Sequence, residues 1–123
     1  MDNEANLIFD RALESLKSSE LNLDNGFYNA SINRSYYAVF YATTALLSKK
    51  GISTKKHSST IQQFGIEYVV KEKFDKEIAK ILSALEEDRE DADYDFHIIF
   101  PENEAVNDLK NAKIFVEECR KYL

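Results

Sequence analysis

Between Gly26 and Gly51 the chain runs without a glycine or a proline, so nothing in the segment from about Phe27 to Lys49 interrupts a helix. Read at three- and four-residue steps, that segment carries three different stripes. Ser31, Ser35, Ala38, Ala42 and Ala45 make a ridge of small residues. Tyr36, Val39, Thr43 and Leu46 make an apolar row, and Arg34, Tyr37, Tyr41 and Thr44 make a polar and aromatic one. A helix occupied on every side is one that other elements surround, so this segment is expected to be the long central helix of its domain.

The rest of the chain supplies the elements to surround it. Ala5, Ile8, Phe9, Ala12, Leu13 and Leu16 predict a first helix from Ala5 to about Leu21, closed by the turn residues Asp24, Asn25 and Gly26. Gly51 ends the central helix, and Ser59 with Gln62 three residues later suggests a capping box for a third helix carrying Ile61, Phe64 and Tyr68. A polar bend over 71–73 precedes a fourth stripe of Phe74, Ile78, Ile81, Leu82 and Leu85. After an acidic stretch and an irregular 95–100 connection, Pro101 suits the first turn of a fifth helix bearing Val106, Leu109, Ala112, Val116 and Cys119. Three glycines and one proline in 123 residues are too few for the tight turns of a sandwich or barrel. The expected architecture is all-α: a single domain, residues 1–123, folded as an up-and-down bundle of four to five helices.

Charge and cysteine usage narrow the partners. A formal charge of −6 argues against generic, charge-driven binding to nucleic acid, which draws on a surplus of lysine and arginine. A local basic group remains at Lys49, Lys50, Lys55, Lys56 and His57. One cysteine, Cys119, cannot form an internal disulfide, and on a helix face it reads as core filling. With polar residues at 1–6 and no apolar run near the roughly 20 residues that span a bilayer, a cytoplasmic protein without membrane contact is expected.

Several side chains depart from packing logic. Tyrosine hydroxyls and a guanidinium on one face, at Arg34, Tyr37 and Tyr41, need partners, which can be structural or a ligand in a cleft. Arg89 stands where the stripe Ile78, Ile81, Leu82, Leu85 would place its next apolar residue, so a continuing helix turns this charge toward the bundle. A buried arginine must be paired, with Asp93 one turn later or with Asp91 or Asp95, or else must face a phosphate. Tyr94 lies about 140° from Arg89 on an ideal helix, so the two meet only where the helix ends or where a second subunit supplies one of them. His97, between aromatic and apolar neighbours, suits a hydrogen-bonded structural role better than a catalytic one. His57 precedes a helix start and can act as part of a cap or hold a phosphate there. The carboxylates of 86–91 point in different directions on a helix and are expected to be solvated, with no metal and no cofactor.

Taken in order, Asn29-Ala30-Ser31-Ile32-Asn33-Arg34-Ser35-Tyr36-Tyr37-Ala38-Val39-Phe40-Tyr41-Ala42, then Ala45-Leu46-Leu47, Gly51, Lys56-His57-Ser58 and Arg89-Glu90-Asp91-Ala92-Asp93-Tyr94 resemble the small stand-alone HEPN (higher eukaryotes and prokaryotes nucleotide-binding) proteins of bacteria and archaea. The resemblance implies a helical bundle that forms a homodimer around a cleft. It also implies a nucleotidyltransferase-type protein partner in a toxin–antitoxin pair and, in many members, metal-independent ribonuclease activity from an arginine followed after four to six residues by a histidine. Here four residues after Arg89 lead to Tyr94, six after Arg34 lead to Tyr41, and His97 comes only after seven. Tyrosine, with an ordinary pKa near 10, is a poor base at neutral pH. The expectation is a HEPN domain with a degenerate ribonuclease motif that binds nucleotide or RNA phosphate through Arg34, Tyr37, Tyr41, His57, Arg89, Asp93 and Tyr94. An active endoribonuclease, with Arg89, Tyr94 and His97 as candidates, and a non-catalytic protein-interaction module are the alternatives.

Overall fold

The computed structural model describes residues 3–123. Its helices are α1 (Asn3–Asp24), α2 (Tyr28–Lys49), α3 (His57–Phe64), which runs on into a π-helical turn (Gly65–Val70), α4 (Lys76–Tyr94) and α5 (Glu102–Arg120). No strand occurs among the described residues. Contacts at both ends set the directions. Ser19 meets Ser31 and Ser35 while Glu4 meets Ser48, so α1 and α2 are antiparallel. Glu20 pairs with Lys113 while Arg120 lies over the Phe9 ring nearer the start of α1, which runs α5 against α1, and Asp93 bonds Asn33, which runs α4 against α2. Four long helices thus alternate up and down, with α3 and its π turn inserted between α2 and α4. As its three stripes imply, α2 touches α1, α3, α4 and α5.

The first two helices close in the same way. At the end of α1 the Phe27 N–H reaches the Asn22 carbonyl (2.8 Å) and the Gly26 N–H reaches Leu23 (3.1 Å); at the end of α2, Ile52 reaches Leu47 and Gly51 reaches Ser48, both at 2.9 Å. Each is a Schellman closure whose left-handed residue is a glycine, Gly26 at φ +80° and Gly51 at φ +73°. The start of α3 differs from the capping-box expectation. Lys56 is extended and its carbonyl accepts the Thr60 N–H, so the helix begins at His57, two residues before Ser59. The 71–73 bend turns through Lys73 at φ +60°, and the Asp75 carboxylate caps α4 by accepting the Ile78 N–H at 3.0 Å. Phe74, assigned to the α4 stripe, lies ahead of that helix yet is fully buried. Pro101 stands one residue before α5 as its N-cap.

The small ridge of α2 packs within the chain. Ser19 Oγ donates to the Ser31 carbonyl (2.9 Å) and lies 2.8 Å from Ser35 Oγ, while Ser31 Oγ returns a bond to the Ser19 carbonyl (3.0 Å). All three serines are buried, and with Ala38, Ala42 and Ala45 they leave room for helix α1 to come close. A Ser35→Leu substitution should therefore cost about 1–3 kcal/mol of overpacking, with the lost hydroxyl contact in addition, read as a lower urea midpoint. Farther down the bundle, Phe64, Phe74 and Phe115 pack with Tyr68 and Tyr122 into an aromatic core. Cys119 is buried there as core filling, and burial raises its thiol pKa.

Candidate functional site

Arg89 follows Leu85 by one turn on α4, and the helix does continue, so its side chain enters the bundle with only 6% of the residue exposed. It meets α2 there. The guanidinium carbon lies 4.9 Å from the Tyr36 ring centroid, 6.0 Å from Tyr37 and 5.9 Å from Tyr94. Ring faces attract a cation, but they do not use its N–H donors. Its carboxylate contact is a long one, 3.9 Å to Asp93, and its Nε has no hydrogen-bond partner. The guanidinium is held by these aromatic faces and by the Tyr36 hydroxyl, and its Nε is left as an unspent donor.

Asp93 is itself held by Asn33, whose Nδ2 donates to Oδ2 at 2.8 Å. The Asn33 Oδ1 accepts from Arg34 Nε at 2.9 Å, and Arg34 sits 4.9 Å over the Tyr37 ring. The two arginines are therefore joined through Asn33 and Asp93, with Tyr37 between them. Tyr94 and Arg89 meet because α4 ends at Tyr94. Asn29 fixes the chain that follows, accepting from the Phe100 N–H (3.0 Å) and donating to the Ile98 carbonyl (3.1 Å).

The first residue of α3 completes the cluster. The His57 ring packs against Phe40 with centroids 4.2 Å apart, and its Nδ1 lies 2.9 Å from the Tyr36 hydroxyl. Its pKa is lowered from the ordinary 6.5, first by burial and then by the positive charge of Arg89. Tyr36 has the opposite character. Burial, then the Glu86 charge, raise its phenol far above 10 against the opposing pull of Arg89, so it remains a protonated donor. The pH consequence follows from the His57 direction. The unfolded chain binds a proton that the folded one refuses, so this contribution to stability is complete above about pH 6.5 and declines as pH falls toward the folded pKa. His57→Gln should show a shallower loss of urea midpoint than wild type between neutral and mildly acidic pH.

The structure thus brings together Arg34, Tyr37, Tyr41, His57, Arg89, Asp93 and Tyr94, with Tyr41 joined through Tyr37 at 5.8 Å. His97 is not among them. Its side chain is 98% exposed beyond the end of α4, beside Asp95 at 3.4 Å. The basic group of the sequence also divides. Lys49 donates to the Tyr122 carbonyl, and Lys50 bonds the Glu67 carbonyl and pairs with Glu72, which makes both of them fasteners of the fold. Two further residues belong to the cluster: Tyr36, whose ring fits the apolar row of α2, and Asn33. The signal for Tyr36 was its hydroxyl, which requires a partner wherever the ring is buried.

The HEPN domain family matches residues 5–122. The chain belongs to the HEPN family. Its relatives include the Methanocaldococcus jannaschii protein named "Putative toxin MJ0142", 33% identical over 98% of this chain and 82% of the relative. A UPF0332 protein of Thermotoga maritima is 34% identical over 92% of this chain and 86% of its own length. "Putative toxin MJ0605" of Methanocaldococcus jannaschii is 32% identical over 98% and 89%. In this HEPN domain the imidazole beside the arginine of α4 comes from the start of α3, and the position expected to carry histidine after Arg89 is Tyr94. No described helix is long and apolar enough to cross a membrane.

Proposed function

We propose that this HEPN domain is the toxin-like component of a toxin–antitoxin pair and binds nucleotide or RNA phosphate at the Arg89 cluster. The observation that carries the reading is the buried Arg89 guanidinium with a free Nε and one long ion pair. A phosphate oxygen is the acceptor that such a donor set lacks. Arg34 supplies the second cation, Tyr37, Tyr41 and Tyr94 supply ring faces for a base, and His57 supplies a neutral donor or acceptor. Asp93 orients Arg89. The names of the two Methanocaldococcus relatives support the toxin-like role. The family resemblance supports a nucleotidyltransferase-type protein partner, a homodimer and a cytoplasmic setting. Phe27, Tyr94, Phe96 and Ile99 support the homodimer further, since they are exposed apolar side chains at the end of the bundle where Arg89 lies. Binding of labelled RNA and of nucleotide to the purified protein tests the reading. Binding that weakens with added salt is expected, and no binding of either probe would end it.

A ribonuclease reading rests on one observation, the His57 and Tyr36 pair. If the Tyr36 phenol donates to Nδ1, Nε2 carries the proton and serves a ligand only as a donor. If Nδ1 carries the proton, Nε2 is a free base toward a ribose hydroxyl. The nitrogen chemical shifts of His57 separate these tautomers. RNA cleavage in chelator that His57→Ala abolishes would establish the enzyme, and equal background cleavage by both proteins would exclude it.

A further inference from the structure

On the side of α4 that faces α5, Asp88 meets Glu104 and Asp108, which stand four residues apart on one face of α5. One carboxylate oxygen from each lies within 4.8 Å of the others. None of the three forms an ion pair with a lysine, arginine or histidine among the described residues. Asp108 is 3% exposed, and its Oδ2 has no hydrogen-bond partner. An acidic group spread over a surface is solvated and needs no explanation. This one has a buried member whose Oδ2 adjoins two further carboxylates, and burial, then the hydrogen bond and charge of Asp88, push the Asp108 carboxyl up to about 8, so the group must be balanced either by a shared proton or by a cation that displaces it.

We propose that Asp88, Glu104 and Asp108 bind a divalent cation of the calcium type, which clamps the first turns of α5 against α4. The donor set is all oxygen, as hard cations require. The three oxygens lie within 4.8 Å of one another, close enough to share one ion. Calcium, which takes carboxylates in flexible geometry at about 2.3–2.6 Å, suits ligands fixed on two separate helices better than magnesium, which demands near-ideal octahedral placement at about 2.0–2.1 Å. The site is separate from the phosphate cluster, because Asp88 and Arg89 are consecutive on α4 and project toward α5 and α2 respectively. Among the carboxylates of 86–91, the one that joins this group is Asp88, brought to two partners that no local reading of that run contains.

The test uses the whole chain, stripped with chelator and titrated with calcium or magnesium chloride while thermal unfolding and binding heat are followed. Calcium should raise the melting temperature saturably, with one site per chain and half-saturation at about millimolar or below, and magnesium should act more weakly. Glu104→Gln should weaken calcium binding about tenfold or more and Asp108→Asn should abolish it. Glu104 lies toward solvent, so its variant keeps the test sharp if Asp108→Asn folds poorly. A wild type that responds to neither cation, or a Glu104→Gln variant that responds as wild type does, overturns the proposal. A wild type that ignores both cations and loses stability as pH rises from acid to neutral balances the cluster with a proton shared by Asp88 and Asp108, and this also overturns it.

Discussion

Arg89→Met should reduce binding of RNA and nucleotide by roughly tenfold to a hundredfold while the domain stays folded, the loss expected for one charged hydrogen-bonding partner worth about 1.5–3 kcal/mol. The two halves of that expectation have separate causes. Binding falls because methionine removes every donor that position 89 offers the phosphate, leaving Arg34 as the one cation of the cluster. Folding survives because the guanidinium is packed on rings, at 4.9 Å from Tyr36, and a methionine of similar length fills the same slot against the same rings. The one anion facing it is not stranded, since Asn33 still donates to Asp93 at 2.8 Å. Replacing a buried ionic side chain by an apolar one of similar volume is often neutral or stabilising. Fluorescence anisotropy with labelled RNA and a thermal melt check both halves. Unchanged binding with a lowered melting temperature would assign Arg89 to the fold and leave the protein-interaction reading standing.

Much of this site was legible because arginine and tyrosine at apolar positions of a helix are conspicuous. Arg89 broke the periodicity of α4, and Arg34, Tyr37 and Tyr41 formed a stripe with no packing rationale. Where the reading fell short, the missing information was tertiary. Tyr36 fits an apolar row, and only the arrival of His57 from α3 shows what its hydroxyl does. The difference between His57 and His97 lies in where two loops go. Lys56 lets α3 begin at His57, close over Phe40, whereas α4 stops at Tyr94 and leaves His97 in solvent. The helix order and the two glycine closures followed directly from local chemistry. The π-helical turn at Gly65–Val70 did not, since its geometry answers to packing of Tyr68 and Phe74 against the bundle.

The largest loss of stability is expected from Phe115→Ala. Phe115 is fully buried on α5, with its ring centroid 5.7 Å from Phe64 and 5.6 Å from Phe74. These three rings join α5 to α3 and to the segment just before α4. Truncating a buried phenylalanine costs about 3–5 kcal/mol, through lost burial and the cavity left behind. Against a typical domain stability of about 5–15 kcal/mol, that is a large share, and a fall in melting temperature of roughly 10–20 °C follows for a chain of this size. The cavity should not collapse easily, because Phe74 is tethered on one side by its N–H to the Tyr68 carbonyl (2.9 Å) and on the other by the Asp75 cap of α4. Ligand binding should respond quite differently from Arg89→Met. The Arg89 cluster is built by the C-terminal half of α4, α2 and the start of α3, so Phe115→Ala should bind RNA as wild type does well below its melting temperature and lose binding only as it unfolds. A loss of affinity at low temperature, with the fold intact by circular dichroism, would mean that the aromatic core sets the position of α4 and with it the reach of Arg89.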